Sequence, residues 1–185
     1  MDPAAFRASF GKGEGVEYLA DILRAALFIS QGHREDVTVH LVLEKSRDYS
    51  RVVTFSGNQL GSLADLHEQA LLSAIAQALE AGRSLGKDES ASDSRGVMVQ
   101  ATSFEHLVRT AAKQKPVYVL DPGGIDIRDL EVGPEAVFVM TDHTPMPRNT
   151  FKSMVRQGVE KVSLGPVVLH ASQGIAIVLN ELDRR

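Results

Sequence analysis

The chain contains no cysteine. That excludes a disulfide scaffold, a thiolate zinc site, an iron–sulfur cluster and a cysteine nucleophile, and it fits a reducing compartment. Tryptophan is also absent, and aromatic residues make up only 5%. That is too few for a stacking platform of the kind that holds single-stranded nucleic acid. No apolar run approaches the roughly 20 residues that span a bilayer, and the opening MDPAAFRASF lacks the apolar core of a secretory signal. No sign of charge dominates. Twenty Lys and Arg against 24 Asp and Glu leave a net charge of −4, which rules out a histone-like polycation but leaves room for a local basic strip. HExxH, Walker and dinucleotide-binding spacings are all missing. His33 and His40 have no partner at metal spacing, so no metal site is expected. The expectation is a cytoplasmic protein without a membrane anchor.

What is present points to an α/β domain. At 185 residues the length suits about one domain, large enough to hold a core without staples. Val16, Leu19, Ala20, Leu23, Ala26 and Leu27 recur at helical spacing and predict a helix over 16–30. DVTVHLVLE at 36–44 and RVVTF at 51–55 predict two strands joined as a hairpin. An alanine-rich apolar face predicts a helix over 63–81, stopped at Gly82. The Ser- and Asp-rich stretch 85–96 reads as a flexible loop. After it, strands alternate with helices. Strands are expected at 97–99, 117–120, 136–140 and 159–164. Helices are expected from Ser103, over 148–157 and over 171–182. This rhythm predicts a mostly parallel sheet with helices on both faces.

In parallel sheets, ligands bind beyond the carboxyl ends of the strands. Those ends are Asp121-Pro122-Gly123-Gly124, Thr141-Asp142-His143 and Gly165-Pro166. Each alone is ordinary turn chemistry. Asp142-His143 has two readings: a proton-accepting pair at a strand end, or a capped turn packed against Pro145 and Pro147. The cations Arg34, Lys45, Arg47 and Arg51 flank the hairpin and, with His33, offer a phosphate-contacting strip. The competing reading is a solvated hairpin. The segment 161–183 joins a strand, Gly165-Pro166, an apolar loop and a helix opening with small residues. A flat, partly apolar cofactor can lie against such a loop.

FISQGHREDVTVHLVLE, VYVLDPGG, VFVMTDH and VSLGPVVLHASQGIAIVLNELD together resemble the SPOUT class of S-adenosylmethionine-dependent RNA methyltransferases. The match is to the TrmY-like tRNA pseudouridine N1-methyltransferases and their bacterial homologues. The resemblance implies a C-terminal trefoil knot, an exception to unknotted topology, within one SPOUT domain over 1–185. It implies S-adenosylmethionine as cofactor, RNA (tRNA in archaeal members) as substrate and a homodimer as assembly. By position it assigns Leu120, Thr141, Leu164, Gly165, Pro166, Val167, Val168, Leu169 and Gly174 to the cofactor. It makes Asp142 the candidate catalytic carboxylate, and His33 and Arg34 the substrate-binding residues. The chain departs from the family at Thr141, where archaeal members have Gly, and at Gly174, where many have Cys. The family's opening strand is expected to be missing. These departures motivate the alternative reading, an inactive homologue that binds RNA or cofactor.

Overall fold

A computed structural model describes residues 2–12, 16–44, 49–60, 67–141 and 145–185. The chain divides into two units, Met1–Phe104 and Glu105–Arg185. Lys45, Arg47, the first residues of the helix expected from Leu63, and the Asp142-His143 pair lie outside the described residues.

In the first unit, helix α1 (Pro3–Ala8) is capped by the Asp2 carboxylate, which accepts from the Ala5 amide at 2.9 Å. Helix α2 (Tyr18–Leu27) buries the predicted stripe of Leu19, Ala20, Leu23, Ala26 and Leu27. It ends as Phe28 turns extended and enters a two-residue strand, β1 (Phe28–Ile29), paired with β2 (Gly32–His33). The predicted hairpin is present as β3 (Thr38–Leu43) and β4 (Arg51–Ser56), antiparallel from Thr38 against Ser56 to Leu43 against Arg51. Helix α3 (Glu68–Ala81) buries Leu71, Leu72, Ala74, Ile75, Ala76, Ala78 and Leu79. It packs on α1, α2 and β4. Its alanines let it lie close to β4, every residue of which from Arg51 to Phe55 is buried.

The expectation of a mostly parallel sheet fails in this unit. Within the stretch 85–96, read as a loop, Ser90–Ser92 forms a strand, β5. Asp93 then reverses the chain: its carboxylate accepts from the amides of Arg95 at 2.8 Å and Val97 at 3.0 Å, and Gly96 takes φ +84°. Strand β6 (Met98–Ala101) therefore returns antiparallel to both β4 and β5, giving the order β3-β4-β6-β5. Without β5, a strand entered after α3 would run with β4. The inserted edge strand reverses it.

The second unit matches the expected rhythm. It contains α4 (Phe104–Ala112), β7 (Val117–Asp126), β8 (Val137–Val139), α5 (Arg148–Arg156), β9 (Glu160–Ser163) and α6 (Ala171–Asp183). The three strands are parallel in the order β8-β7-β9. One face buries Tyr118, Val162 and Ile127 against Val178 of α6, with the Tyr118 and Phe138 rings 5.4 Å apart. Lys161 faces the other way and lies 4.8 Å over the Phe151 ring of α5. The chain leaves the central strand β7 first to one side and then to the other, so its carboxyl end is a topological switch point, where ligands of open α/β sheets bind.

Candidate cofactor site

Strand β7 is broken where the sequence reads Asp-Pro-Gly-Gly. Leu120 and Ile125 both register against Val162, so residues 121–124 bulge out between them. Asp121 pins the bulge, accepting from the Gly123 amide at 2.8 Å and pairing with Lys161 Nζ at 3.5 Å. Gly124 is there for space. A Cβ on it would lie 2.6 Å from the Lys161 carbonyl carbon and the Val162 nitrogen, which are backbone atoms that cannot swing aside. The bulge ends the straight part of β7 just after Leu120, which alternation places on the same face as Tyr118, packed against the Val162 and Val178 cluster.

At the end of β9 the backbone bends sharply. Gly165 has φ +119°, a conformation that favours glycine. The Ser163 hydroxyl accepts from the Gly165 amide at 3.1 Å and donates to its carbonyl at 3.3 Å. The loop that follows is open: Pro166 is exposed, and Val167 and Val168 are 68% and 83% exposed. Leu169 is half-buried. His170 then caps α6, its amide donating to the Gln173 Oε1 at 3.1 Å. Two adjacent valines held this far into solvent are an apolar surface without a cover.

These ends converge on α6. A Cβ on Gly174 would stand 3.2 Å from Leu120 Cδ1, 3.6 Å from Leu164 Cδ1 and 3.8 Å from Met140 Sδ. All three strand ends thus meet the first turn of the last helix at its one side-chain-free position. The structure brings together Leu120, Leu164 and Gly174, three of the expected cofactor residues. Thr141 follows Met140 directly and is exposed. Met140 itself was passed over as the last residue of an apolar strand; its adjacency to Thr141 was the available signal. Gly165, Pro166, Val167, Val168 and Leu169 form the loop between β9 and α6. Asp142 is outside the described residues.

His33 and Arg34 belong to the first unit. His33 is half-buried in β2, and the Arg34 amide donates to the Leu27 carbonyl at 2.7 Å. The Arg34 carbonyl presses on Gly57, where a Cβ would come within 1.7 Å. Gly57 was missed as the residue that makes room for this turn. Arg51 is no part of a phosphate strip. It is 6% exposed and its guanidinium donates to the carbonyls of Tyr49 at 2.8 Å, Gly82 at 3.3 Å and Leu85 at 3.3 Å. Three backbone acceptors draw it inward.

Beyond the bulge, Arg128 grips the Asp126 carboxylate with its guanidinium at 2.6 and 2.9 Å and with its amide at 3.0 Å. The side-chain hydrogen bonds, then the backbone one, hold that carboxyl well below its usual range; Arg128 is raised in turn. The pair is a structural clip at the end of β7. Among the described residues no group of three or more His, Asp or Glu could hold a metal ion.

Comparison with known proteins bears on this geometry. A family model described as "Putative SAM-dependent RNA methyltransferase" matches residues 9–185. A Vibrio parahaemolyticus protein named "Putative pseudouridine methyltransferase" is 43% identical over 175 residues, 95% of this chain and 88% of the relative. A Shewanella frigidimarina protein of the same name is 38% identical over 185 residues, 100% of this chain and 93% of that one. Among solved structures, Archaeoglobus fulgidus Nep1 bound to S-adenosylhomocysteine has a similar fold. Its TM-score is 0.55 at 13% identity, covering 100% of this chain and 80% of that chain.

Proposed function

This chain belongs to the family of SAM-dependent RNA methyltransferases that contains these pseudouridine methyltransferase relatives, and we propose from that premise that it methylates N1 of a pseudouridine in RNA. The observation that carries the reading is the meeting of Leu120, Met140 and Leu164 at Gly174, beyond the carboxyl ends of parallel strands.

The residues present fit S-adenosylmethionine. Glycine at 174 keeps the convergence point free of a side chain, Gly165 offers backbone in a conformation other residues resist, and Val167 and Val168 offer apolar surface to a flat ring. When bound, the cofactor supplies a methyl group already activated on a sulfonium. What remains for the protein is alignment and proton removal. Leu120, Thr141, Leu164, Pro166, Leu169 and Gly174, with Gly165 and the two valines, hold the cofactor. Asp142 accepts the proton from pseudouridine N1. His33 and Arg34 bind the RNA, whose target base is flipped out at a cost of a few kcal/mol. In the same reading the C-terminal segment is knotted, the whole chain acts as one methyltransferase domain, and two chains form a cytoplasmic homodimer acting on tRNA. Family membership and the fold likeness support these finer points.

Calorimetric titration with S-adenosylmethionine tests the site. Saturable binding near one per chain, lost in Gly165→Trp, is expected. Transfer is then read by mass spectrometry of a pseudouridine-containing RNA incubated with labelled cofactor. Asp142→Asn is expected to keep cofactor binding and slow transfer. No cofactor binding by a folded protein would overturn the assignment. Cofactor and RNA binding without transfer to any pseudouridine would favour the inactive homologue.

A further inference from the structure

The chain carries a net charge of −4, yet residues 145–159 contain Arg148, Lys152 and Arg156 and no Asp or Glu. The three cations recur every four residues on α5, so they lie on one face. At about 1.5 Å rise per residue they stand roughly 6 Å apart along the axis. All three are exposed. Among the described residues none of them has a carboxylate partner. Cations left uncompensated in an acidic chain mark a surface for an anion with repeated charges.

The ridge borders an open groove of about 370 Å³ lined by Phe151, Lys152, Val155, Arg156 and Lys161. Its floor is apolar, with Val155 44% exposed, and its rim is cationic. A positive groove with an apolar and aromatic floor suits a nucleic-acid strand, with phosphates on the rim and a base or ribose on the floor. The groove also adjoins the bulge of β7. Lys161 lies over the Phe151 ring on one side and pairs with Asp121 on the other, and Asp121 directly follows Leu120. Because α5 carries the chain from the carboxyl end of β8 back to the start of β9, its Arg148 end lies at the carboxyl edge of the sheet, the edge on which the convergence point is built.

We propose that the α5 ridge of Arg148, Lys152 and Arg156 docks the phosphate backbone of the substrate RNA beside the cofactor site. The proposal rests on the methyltransferase reading and adds a backbone-docking surface to the His33 and Arg34 contacts of that reading. The cations hold and orient the strand; they take no part in the transfer.

The test uses the full chain and a fluorescein-labelled RNA hairpin with one pseudouridine in its loop, titrated from 50 to 200 mM salt. The triple variant Arg148→Ala, Lys152→Ala, Arg156→Ala is compared with wild type and with the charge-preserving Arg148→Lys, Lys152→Arg, Arg156→Lys. Each phosphate contact on a single strand contributes about 0.7 to the slope of log affinity against log salt. Loss of three contacts should lower that slope by about 2 and weaken binding at least tenfold at 50 mM salt. The charge-preserving variant should keep the wild-type slope, and S-adenosylmethionine binding should be unchanged in both. An alanine variant that binds the hairpin with wild-type affinity and slope would overturn the ridge and leave the methyltransferase reading standing. A wild-type protein that binds cofactor but no RNA would overturn both.

Discussion

Replacing Gly124 by alanine tests the strand break on which the cofactor site is built. The added Cβ would sit 2.6 Å from two backbone atoms of β9 and 2.7 Å from the Lys161 carbonyl oxygen. Ordinary van der Waals contact begins near 3.4 Å, so the strands must part by about 0.8 Å. The parting falls where Leu120 and Ile125 both register against Val162 and Asp126 against Ser163. One or two weakened ladder hydrogen bonds cost about 1 kcal/mol each. Forced overpacking adds roughly 1–3 kcal/mol. The total is about 2–5 kcal/mol, or a fall in Tm of roughly 4–20 °C for a chain of this size. Gly133→Ala is the matched control. No atom lies within 4 Å of its Cβ position, and its φ is outside the left-handed region, so stability should hold or rise by about 0.4–1 kcal/mol. Thermal unfolding by circular dichroism measures both. Gly124→Ala should also weaken S-adenosylmethionine binding, because Leu120 moves with the bulge. A Gly124→Ala protein melting within a degree of the Gly133→Ala control would refute the close approach.

Three further outcomes follow from the geometry. Gly174→Ala should leave stability unchanged or raise it by up to about 1 kcal/mol through helix propensity, since its nearest neighbour is the flexible end of Leu120. Calorimetry should nevertheless show weaker cofactor binding; unchanged affinity would remove Gly174 from the site. Arg51→Met should cost about 1–3 kcal/mol, chiefly by stranding the Leu85 carbonyl, since that of Gly82 keeps the Leu85 amide. Its RNA affinity should match wild type, and a loss of affinity would restore Arg51 to the phosphate strip. The Asp126 carboxyl is held low by Arg128, so its contribution is present above the unfolded value of about 4 and is lost as pH falls below it. The Tm gap between wild type and Asp126→Asn should therefore be widest near neutral pH and close toward pH 2. A gap that stays constant across that range would contradict the clip.

Periodicity by itself determined the local elements. The stripes of α2 and α3, the β3–β4 hairpin and the strand–helix alternation after residue 97 follow from which side chains must leave water together. The glycines and prolines that close VYVLDPGG and SLGP were likewise legible as strand ends with special backbone needs. Only the tertiary structure decided what lies far apart in sequence. β6 runs antiparallel because Ser90–Ser92, too short and polar to read as a strand, finds its pairing partner in β6 and reverses the chain first. Arg51 turns inward because the Tyr49 carbonyl and two carbonyls of the turn after α3 surround it, whereas Arg148, Lys152 and Arg156 stay on the surface. Leu120, Met140, Leu164 and Gly174 span more than 50 residues of sequence, and no pattern within a window of one helix or strand brings them together. Parallel strands with a switch point at β7 do so, because every crossover returns the chain to the same end of the sheet.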